Sequence, residues 1–231
     1  VDAVHFLPQS RPRFFIIGIR GDLRLPESCL QAAPSPVWHP PALVEGHNLL
    51  SAEAKERWVW WNLPVPASRE STLAELIEDE PKGVTWHSKA ETAYLLSLMT
   101  DLNRKKVEAA KQLGTRKVGT VYRRTRPDAD GVKRQRAEVR FDDIAGCLRT
   151  PSGGSSRQTI MVVEGRSVRS RLLSPREAMS LMGLPESFIL PERYNDAYKL
   201  AGDGVAVPVV RHLAQGIFEP VLKRNRLALV A

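Results

Sequence analysis

The chain has 231 residues, with 34 lysines and arginines against 26 aspartates and glutamates, and 42% of its residues are hydrophobic. That hydrophobic fraction is near the globular average and excludes a wholly disordered chain. Its two cysteines, Cys29 and Cys147, cannot build a disulfide framework or a four-ligand zinc site, so we expect a reducing, cytoplasmic compartment and no metal. No apolar run approaches the roughly 20 residues that span a bilayer, so we expect no membrane partner.

The first element that the sequence predicts is a buried strand at residues 12–20, an apolar run bounded by Pro12 and Gly21. A buried strand needs a sheet, and nothing before it supplies one, so we expect that part of the protein is missing. Just ahead of this strand, Gln9, Arg11 and Arg13 alternate and would point to one face of an extended segment. Two guanidiniums and an amide in a row suit a phosphate or a polar ring, although arginines that merely flank a strand give the same pattern.

The middle of the chain predicts a small α+β unit. A proline-rich segment with one short helix near residues 52–60 leads to a capped helix at residues 72–77 and then to a long helical stripe over residues 95–113, which Gly114 ends. Residues 118–122 and 137–141 alternate as two strands around a turn at residues 128–131. The predicted hairpin is therefore basic and follows a helix.

The positive charge is concentrated in this same region. Residues 104–140 hold 13 basic and four acidic side chains, whereas the rest of the chain is balanced. Such a stretch, which includes Arg123, Arg124 and Arg126, is the electrostatic footprint of a polyanion partner. A solvated basic face is the alternative, and charge alone does not separate the two interpretations.

The last third carries two further signals. Ser174-Pro175-Arg176-Glu177 starts a helix, because serine at the N-cap, proline at the first position and glutamate at the third suit its unpaired N–H groups. Gly183 is placed to end that helix. Residues 202–204, Gly-Asp-Gly, precede a final helical segment at residues 205–218 and could receive a ligand.

Taken in order, Gln9-x-Arg11-x-Arg13, the Arg176-Glu177 helix and Gly202-Asp203-Gly204-Val205 resemble the last three conserved blocks of DNA (cytosine-5) methyltransferases. The variable target-recognition domain of that family lies between the first and second blocks, where this sequence has its basic segment. Residues 146–154 also resemble the conserved end of that domain. The resemblance covers nearly the whole chain.

The resemblance implies the fold. We expect an α+β target-recognition domain together with a strand and a C-terminal helix of an incomplete α/β, Rossmann-like methyltransferase domain. The expected segments are residues 1–25 at the end of the catalytic sheet, residues 26–190 as the DNA-binding domain, and residues 191–231 as the return to the catalytic domain.

The resemblance also implies roles for individual residues. Arg13 is the candidate to stabilise charge at the cytosine O2, with Arg11 and Gln9 in support, and these three are the expected catalytic residues. Asp203, Gly204 and Val205 are expected at the methionine end of S-adenosylmethionine, although the family usually has Gly-Asn-Ser where this chain has Gly202-Asp203-Gly204. The charge of the basic stretch and the polar, glycine-containing loop after residue 148 add the expected contacts to duplex DNA, which are Arg123, Arg124, Arg126, Arg149, Thr150, Gly153, Gly154, Ser156, Arg157 and Gln158.

Two family features are absent from this sequence. Neither Cys29 nor Cys147 follows a proline, so neither matches the family's Pro-Cys nucleophile, and the glycine-rich cofactor loop of the family's first half is not found. We therefore expect an inactive piece that requires a missing N-terminal catalytic half, where most of the cofactor site would lie. A non-catalytic DNA-binding subunit of a split enzyme and an RNA cytosine methyltransferase remain alternatives.

Overall fold

The computed structural model describes residues 1–127, 130–149 and 157–229, the last four without their side chains. The strands within these ranges are β1 (Leu30–Gln31), β2 (Trp60–Trp61), β3 (Lys117–Pro127), β4 (Lys133–Arg140), β5 (Thr159–Glu164) and β6 (Ser167–Leu172). The helices are α1 (Pro41–Asn48), α2 (Ala52–Glu56), α3 (Leu73–Leu76), α4 (Lys89–Ser97), α5 (Asp101–Gln112), α6 (Pro175–Ser180), α7 (Tyr194–Asp203), α8 (Val207–Leu213) and α9 (Glu219–Leu229). A π-helical segment, Ala214–Phe218, joins the last two helices.

The mixture of helices and strands confirms the predicted α+β class. Both sheets formed by these strands are antiparallel, so the parallel sheet of a Rossmann-like domain is not among the described strands. The chain divides into two compact units. The first comprises residues 1, 13–68 and 208–231, and the second comprises residues 2–12 and 69–207. These limits differ from the three predicted segments, which remain a prediction.

The first unit is organised around Trp38. Its indole nitrogen donates to the carbonyl of Leu63 at 2.9 Å, and its ring lies 5.6 Å from the ring of His212. Gly216 packs so closely that a Cβ there would lie 2.7 Å from the Leu63 side chain. Residues 13–20 are not assigned to a strand in the described chain, and alternate residues such as Ile16 are exposed. The strand predicted there is therefore not formed.

The core of the second unit lies between a four-stranded sheet, ordered β4-β3-β5-β6, and the helices α4 and α5. Apolar side chains of both layers are almost completely buried because the strands alternate inward and outward at period two. The cluster consists of Leu95, Met99, Val107, Ala110, Val121, Ala137, Val139, Met161 and Val163. The predicted hairpin is confirmed, but both strands extend further towards its tip than predicted.

The long helix predicted over residues 95–113 is wrong in one respect, because the chain leaves the helix at residues 98–100. The amide of Ala137, on the outer edge of β4, donates to the carbonyl of Leu98 at 3.0 Å. The amide of Val139 donates to the side-chain oxygen of Asn103 at 3.0 Å. The break thus supplies hydrogen-bond acceptors to backbone amides on the outer edge of β4, which would otherwise be unpaired. Gly114, at φ 69°, ends α5 as predicted.

A buried ion pair joins the sheet to α6. Arg171 and Glu177 are 0% and 1% exposed, and the two Nη atoms of the guanidinium donate to the two carboxylate oxygens at 2.8 and 2.6 Å. The carboxylate also accepts from the amides of Ser174 and Glu78, both at 2.8 Å. The capping box predicted at Ser174 is therefore formed, and its glutamate neutralises a buried guanidinium. Gly183 follows at φ 77°, as predicted.

We predict that Glu177→Gln destabilises the second unit by about 3 kcal/mol, because removing one partner leaves a buried charge uncompensated. Urea unfolding followed by circular dichroism measures the change. The control is Glu186→Gln, since the Glu186 side chain is 79% exposed and its pair with Arg176 spans 3.7 Å. A change within about 0.5 kcal/mol is expected for the control, and equal effects of the two variants would contradict the role given to Glu177.

Candidate nucleic-acid interface

A basic cleft of about 1010 Å³ opens in the second unit. Its walls are the β3–β4 hairpin, the start of α5 and the segments on either side of residues 150–156. Eight of the described lining side chains are basic and one, Glu138, is acidic. The basic ones are Lys106, Arg123, Arg124, Arg126, Arg136, Arg140, Arg149 and Arg157. Low-dielectric walls concentrate the field of such charges, so the cleft attracts a polyanion.

The hairpin register decides which side chains of the two strands share a face. Tyr122, Arg124 and Arg126 share one face of β3, because side chains alternate along a strand. They lie opposite Glu138, Arg136 and Arg134 of β4, in that order. Val121, Ala137 and Val139 point the other way, into the core. The tip half of the hairpin, from residue 123 to 127 and from 133 to 135, is exposed on both faces.

Tyr122 and Gly146 both line the cleft and contact each other closely. A Cβ on Gly146 would lie 1.6 Å from the Tyr122 hydroxyl oxygen, so only glycine permits this contact. Burial is the main reason that the pKa of Tyr122 is raised, and the nearby guanidiniums of Arg140 and Arg124 oppose that shift. Gly146 belongs to the sequence block that resembles the conserved end of a target-recognition domain. Its contact with Tyr122 explains the glycine without a ligand.

Arg157 and Gln158, two of the predicted DNA contacts, bond to side chains of α7. The guanidinium of Arg157 lies 5.3 Å from the centre of the Tyr194 ring and donates to the side chain of Asn195. The backbone amide of Gln158 donates to the Tyr198 hydroxyl at 3.0 Å. Its side-chain amide donates to two backbone carbonyls, both at 3.1 Å. Burial raises the pKa of Tyr198 to about 12.

The structure places the other predicted DNA contacts as follows. Arg123, Arg124, Arg126 and Arg149 are exposed and line the cleft. The side chain of Gln158 is 5% exposed and is bonded within the protein, and its role towards DNA remains a prediction. Thr150, Gly153, Gly154 and Ser156 lie outside the described residues.

Arg11 connects the sequence blocks that were widely separated along the chain. The residue is 1% exposed, and its guanidinium donates to the carbonyls of Leu148, Gly202 and Gly204 at 3.1, 2.7 and 2.6 Å. One Nη atom also lies 3.7 Å from the sulfur of Cys147. The first block, the end of the predicted target-recognition segment and the final Gly-Asp-Gly block therefore meet at one side chain.

Gln9 makes the corresponding link to the helix block. Its side-chain amide donates to the carbonyl of Leu181 at 2.6 Å, and the residue is 0% exposed. Arg13 belongs to the first unit, where its backbone pairs with that of Val1 in both directions at 2.9 Å. Asp203 and Val205 are exposed at the end of α7, and Gly204 is its C-cap. The catalytic and cofactor roles of these residues remain predictions.

Comparison with known proteins identifies the family. The family model for C-5 cytosine-specific DNA methylase matches residues 2–219. The chain belongs to this family. It is 38% identical over 66 residues to the type II methyltransferase M1.ScrFI of Lactococcus lactis subsp. cremoris and 47% identical over 53 residues to M.Bsp6I of Bacillus sp. (strain RFL6). It is 40% identical over 57 residues to M.SsoII of Shigella sonnei.

These alignments cover only part of each protein. They take in 29%, 22% and 25% of this chain, and 17%, 17% and 15% of the three relatives. No solved structure gives a significant match. Among the described residues, no helix is long and apolar enough to cross a membrane. No group of three or more histidine, cysteine, aspartate or glutamate side chains in that part of the chain could hold a metal ion.

Several residues of the cleft were not identified from sequence. The cleft is also lined by Lys106, Tyr122, Arg136, Glu138 and Arg140. Only the pairing of β3 with β4 reveals that the last four of these share one face of the hairpin. The alternation of the two predicted strands carries this signal once the register is known, because opposite residues in an antiparallel pair face the same side.

We predict that Gly146→Ala destabilises the second unit by about 1–3 kcal/mol, because the added methyl group displaces the half-buried Tyr122 side chain. Urea unfolding followed by circular dichroism gives the difference. Gly46→Ala is the control, since a Cβ at this helical position meets nothing within 4 Å. The control is expected to be neutral or slightly stabilising. A Gly146→Ala protein as stable as the starting chain would contradict the close contact.

We predict that Arg11→Lys loosens the end of α7, because lysine cannot hold three carbonyls with a planar fork. The amide of Gly204, which bonds to the carbonyl of Leu200 at 2.9 Å, should exchange with deuterium at least about tenfold faster. Hydrogen exchange read by NMR or mass spectrometry over residues 200–207 makes the measurement. Arg104→Lys on the exposed side of α5 is the control, and unchanged exchange in both variants would disprove the bracing role.

Proposed function

We propose that this chain is part of a DNA cytosine-5 methyltransferase (EC 2.1.1.37) and that the basic cleft of its second unit binds duplex DNA. The observation that carries the proposal is the charge of the cleft, with eight basic side chains and one acidic side chain among its described walls. Family membership supplies the chemistry, in which a methyl group passes from S-adenosylmethionine to C5 of cytosine. The matched relatives are named type II methyltransferases, which supports a restriction-modification setting.

The role of the cleft follows from the position of the target base. Cytosine in a duplex is stacked, and an enzyme that acts on its ring must take it out of the helix. The neighbouring phosphates must be held while stacking is lost, and arginines do this through charge-assisted hydrogen bonds. The exposed Arg123, Arg149 and Lys106 are suited to this work at the edges of the cleft.

The block that holds Gln9, Arg11 and Arg13 has a separate role. Attack at C6 moves electron density onto the pyrimidine ring, and a guanidinium near O2 stabilises that charge. We assign this contact to Arg13. The buried Gln9 and Arg11 then act as positioning residues, because their side chains bond to the backbone of the helix block and of the final block.

The end of α7 suits the cofactor's methionine end. The carboxylate of Asp203 is exposed, and it can accept hydrogen bonds from an ammonium group. Val205 is also exposed, at 43%, and offers apolar surface beside it. When bound, S-adenosylmethionine supplies the methyl group. Asp203 and Val205 would hold the methionine end of this cofactor. We propose that the rest of the cofactor site lies in a partner catalytic half.

We predict that the chain binds labelled duplex DNA and that the affinity falls steeply between 50 and 200 mM salt, because phosphate contacts release counterions. The triple variant Arg123→Gln, Arg124→Gln, Arg126→Gln should bind at least about tenfold more weakly at low salt. Fluorescence anisotropy measures both effects. The matched control replaces Arg20, Lys55 and Arg57 by Gln, which removes equal charge from the exposed surface of the first unit.

Two results would contradict this assignment. Equal weakening by the control would show that the binding follows total charge and not the cleft. Preferential displacement by tRNA would favour an RNA methyltransferase of the same family over a DNA enzyme.

We predict no methyl transfer by the 231-residue chain alone, because neither of its cysteines follows a proline as the family nucleophile does. Incorporation of tritium from labelled S-adenosylmethionine into duplex DNA should equal the protein-free blank. Incorporation above the blank would disprove this. Its loss in Cys147→Ser, with retention in Cys29→Ser, would then assign the chemistry to the cysteine that lines the cleft.

A further inference from the structure

One face of the hairpin presents an ordered set of arginines. Arg124 and Arg126 of β3 pair across the ribbon with Arg136 and Arg134 of β4. Because opposite residues of an antiparallel pair face the same side, the four guanidiniums project from one surface. A two-stranded ribbon with a row of arginines differs from a diffuse basic patch, because the spacing of its side chains is set by the strands.

Two carboxylates of the described chain pair with this set: Asp130 pairs with Arg134 at 2.8 Å, and Glu138 pairs with the two β3 arginines at the base. Glu138 follows the arginines on the same face, and its Oε1 lies 3.2 Å from Nε of Arg126 while its Oε2 lies 3.7 Å from Nε of Arg124. The guanidinium of Arg124 also lies over the Tyr122 ring, 5.5 Å from its centre. The Glu138 carboxylate thus accepts a hydrogen bond from Arg126 and forms a longer ion pair with Arg124, two residues away on the neighbouring strand.

Stability does not explain this carboxylate. The three side chains are between 37% and 51% exposed, and ion pairs of this exposure contribute little to folding. A negative charge in a cleft built to attract phosphate also weakens non-specific binding. Its benefit lies in orientation, because an arginine held at Nε can present both Nη groups to another acceptor pair.

We propose that the tip half of the β3–β4 ribbon enters the major groove of duplex DNA, where Arg124 and Arg126 read guanine edges and Glu138 holds them in position. This inference rests on the duplex-binding function proposed above. It makes Glu138 a specificity-determining residue, whereas the arginines at the cleft edges supply affinity. Paired guanidinium nitrogens match the O6 and N7 acceptors that guanine shows in the major groove.

The dimensions of the ribbon fit this placement. The major groove is about 12 Å wide and admits a two-stranded ribbon, whose strands lie about 4.8 Å apart. Residues two apart on a strand are separated by about 6.8 Å, which is close to two base-pair steps of about 3.4 Å each. The ribbon is exposed on both faces from residue 123 onward, so neither surface is covered by the rest of the unit.

The test begins with selection of a preferred duplex from a random pool by the unmodified chain. Anisotropy then gives the ratio of affinities for the selected duplex and a scrambled duplex. Glu138→Gln should bind the scrambled duplex more tightly and reduce the ratio at least about fivefold, because the arginines lose their alignment. Glu164→Gln is the matched control: it makes the same charge change on an exposed side chain at the end of β5, away from the cleft.

Two further measurements separate groove reading from charge. Methylation of guanine N7 in the selected duplex, which blocks the major-groove edge, should abolish its advantage over the scrambled duplex. Arg124→Lys and Arg126→Lys keep the charge but lose the fork, so each should lower the ratio with the salt dependence unchanged. These variants also test the proposal if Glu138→Gln fails to fold, as judged by circular dichroism.

A failure of the proposed function and a failure of this inference give different results. Absence of duplex binding at low salt would overturn the proposed function and this inference with it. Salt-dependent duplex binding that selects no sequence, or a ratio that Glu138→Gln and Glu164→Gln change equally, would overturn the reading role alone. Selected binding that survives N7 methylation would place the ribbon outside the major groove.

Discussion

The buried guanidinium of Arg11 is the constraint on which the arrangement of the second unit depends. It holds the carbonyls of Leu148, Gly202 and Gly204, which come from two segments about fifty residues apart. A buried arginine requires acceptors, because an unpaired buried charge is costly. The hydrogen bonds that this guanidinium requires therefore bring the segment around Leu148 and the end of α7 to the same place. A residue that the family resemblance predicts to support catalysis thus serves as a brace in the structure.

A second buried arginine fixes the other end of the unit. Arg171 on β6 pairs with Glu177, and the same carboxylate caps α6 and accepts the amide of Glu78. The sheet, the capped helix and the segment after α3 are joined through one ion pair. The arginines within the fold carry fixed internal partners, whereas those of the hairpin tip are exposed. This difference in burial separates the scaffold from the surface that we propose to bind DNA.

The sequence predicted the elements whose signals are local. The capping box at Ser174, the glycine stops at Gly114 and Gly183 and the alternating strands of the hairpin depend only on neighbouring residues, and all were confirmed. The break between α4 and α5 was missed because it arises from a bond to β4, nearly 40 residues away. The strands β5 and β6 were also missed, since a buried central strand such as Thr159–Glu164 reads as a short apolar run without alternation.

The site shows the same division between local and distant information. The charge count located the hairpin, but Arg123, Arg124 and Arg126 are equivalent in composition and differ only in the face they occupy. That face is set by the register of β3 against both β4 and β5, and β5 anchors it because Val118, Thr120 and Val121 pair with buried strand residues. A rigid base and an exposed tip follow from this pairing. Arginines that read nucleobases need a rigid support of this kind. Side chains on a loose loop could not maintain a spacing of two base-pair steps.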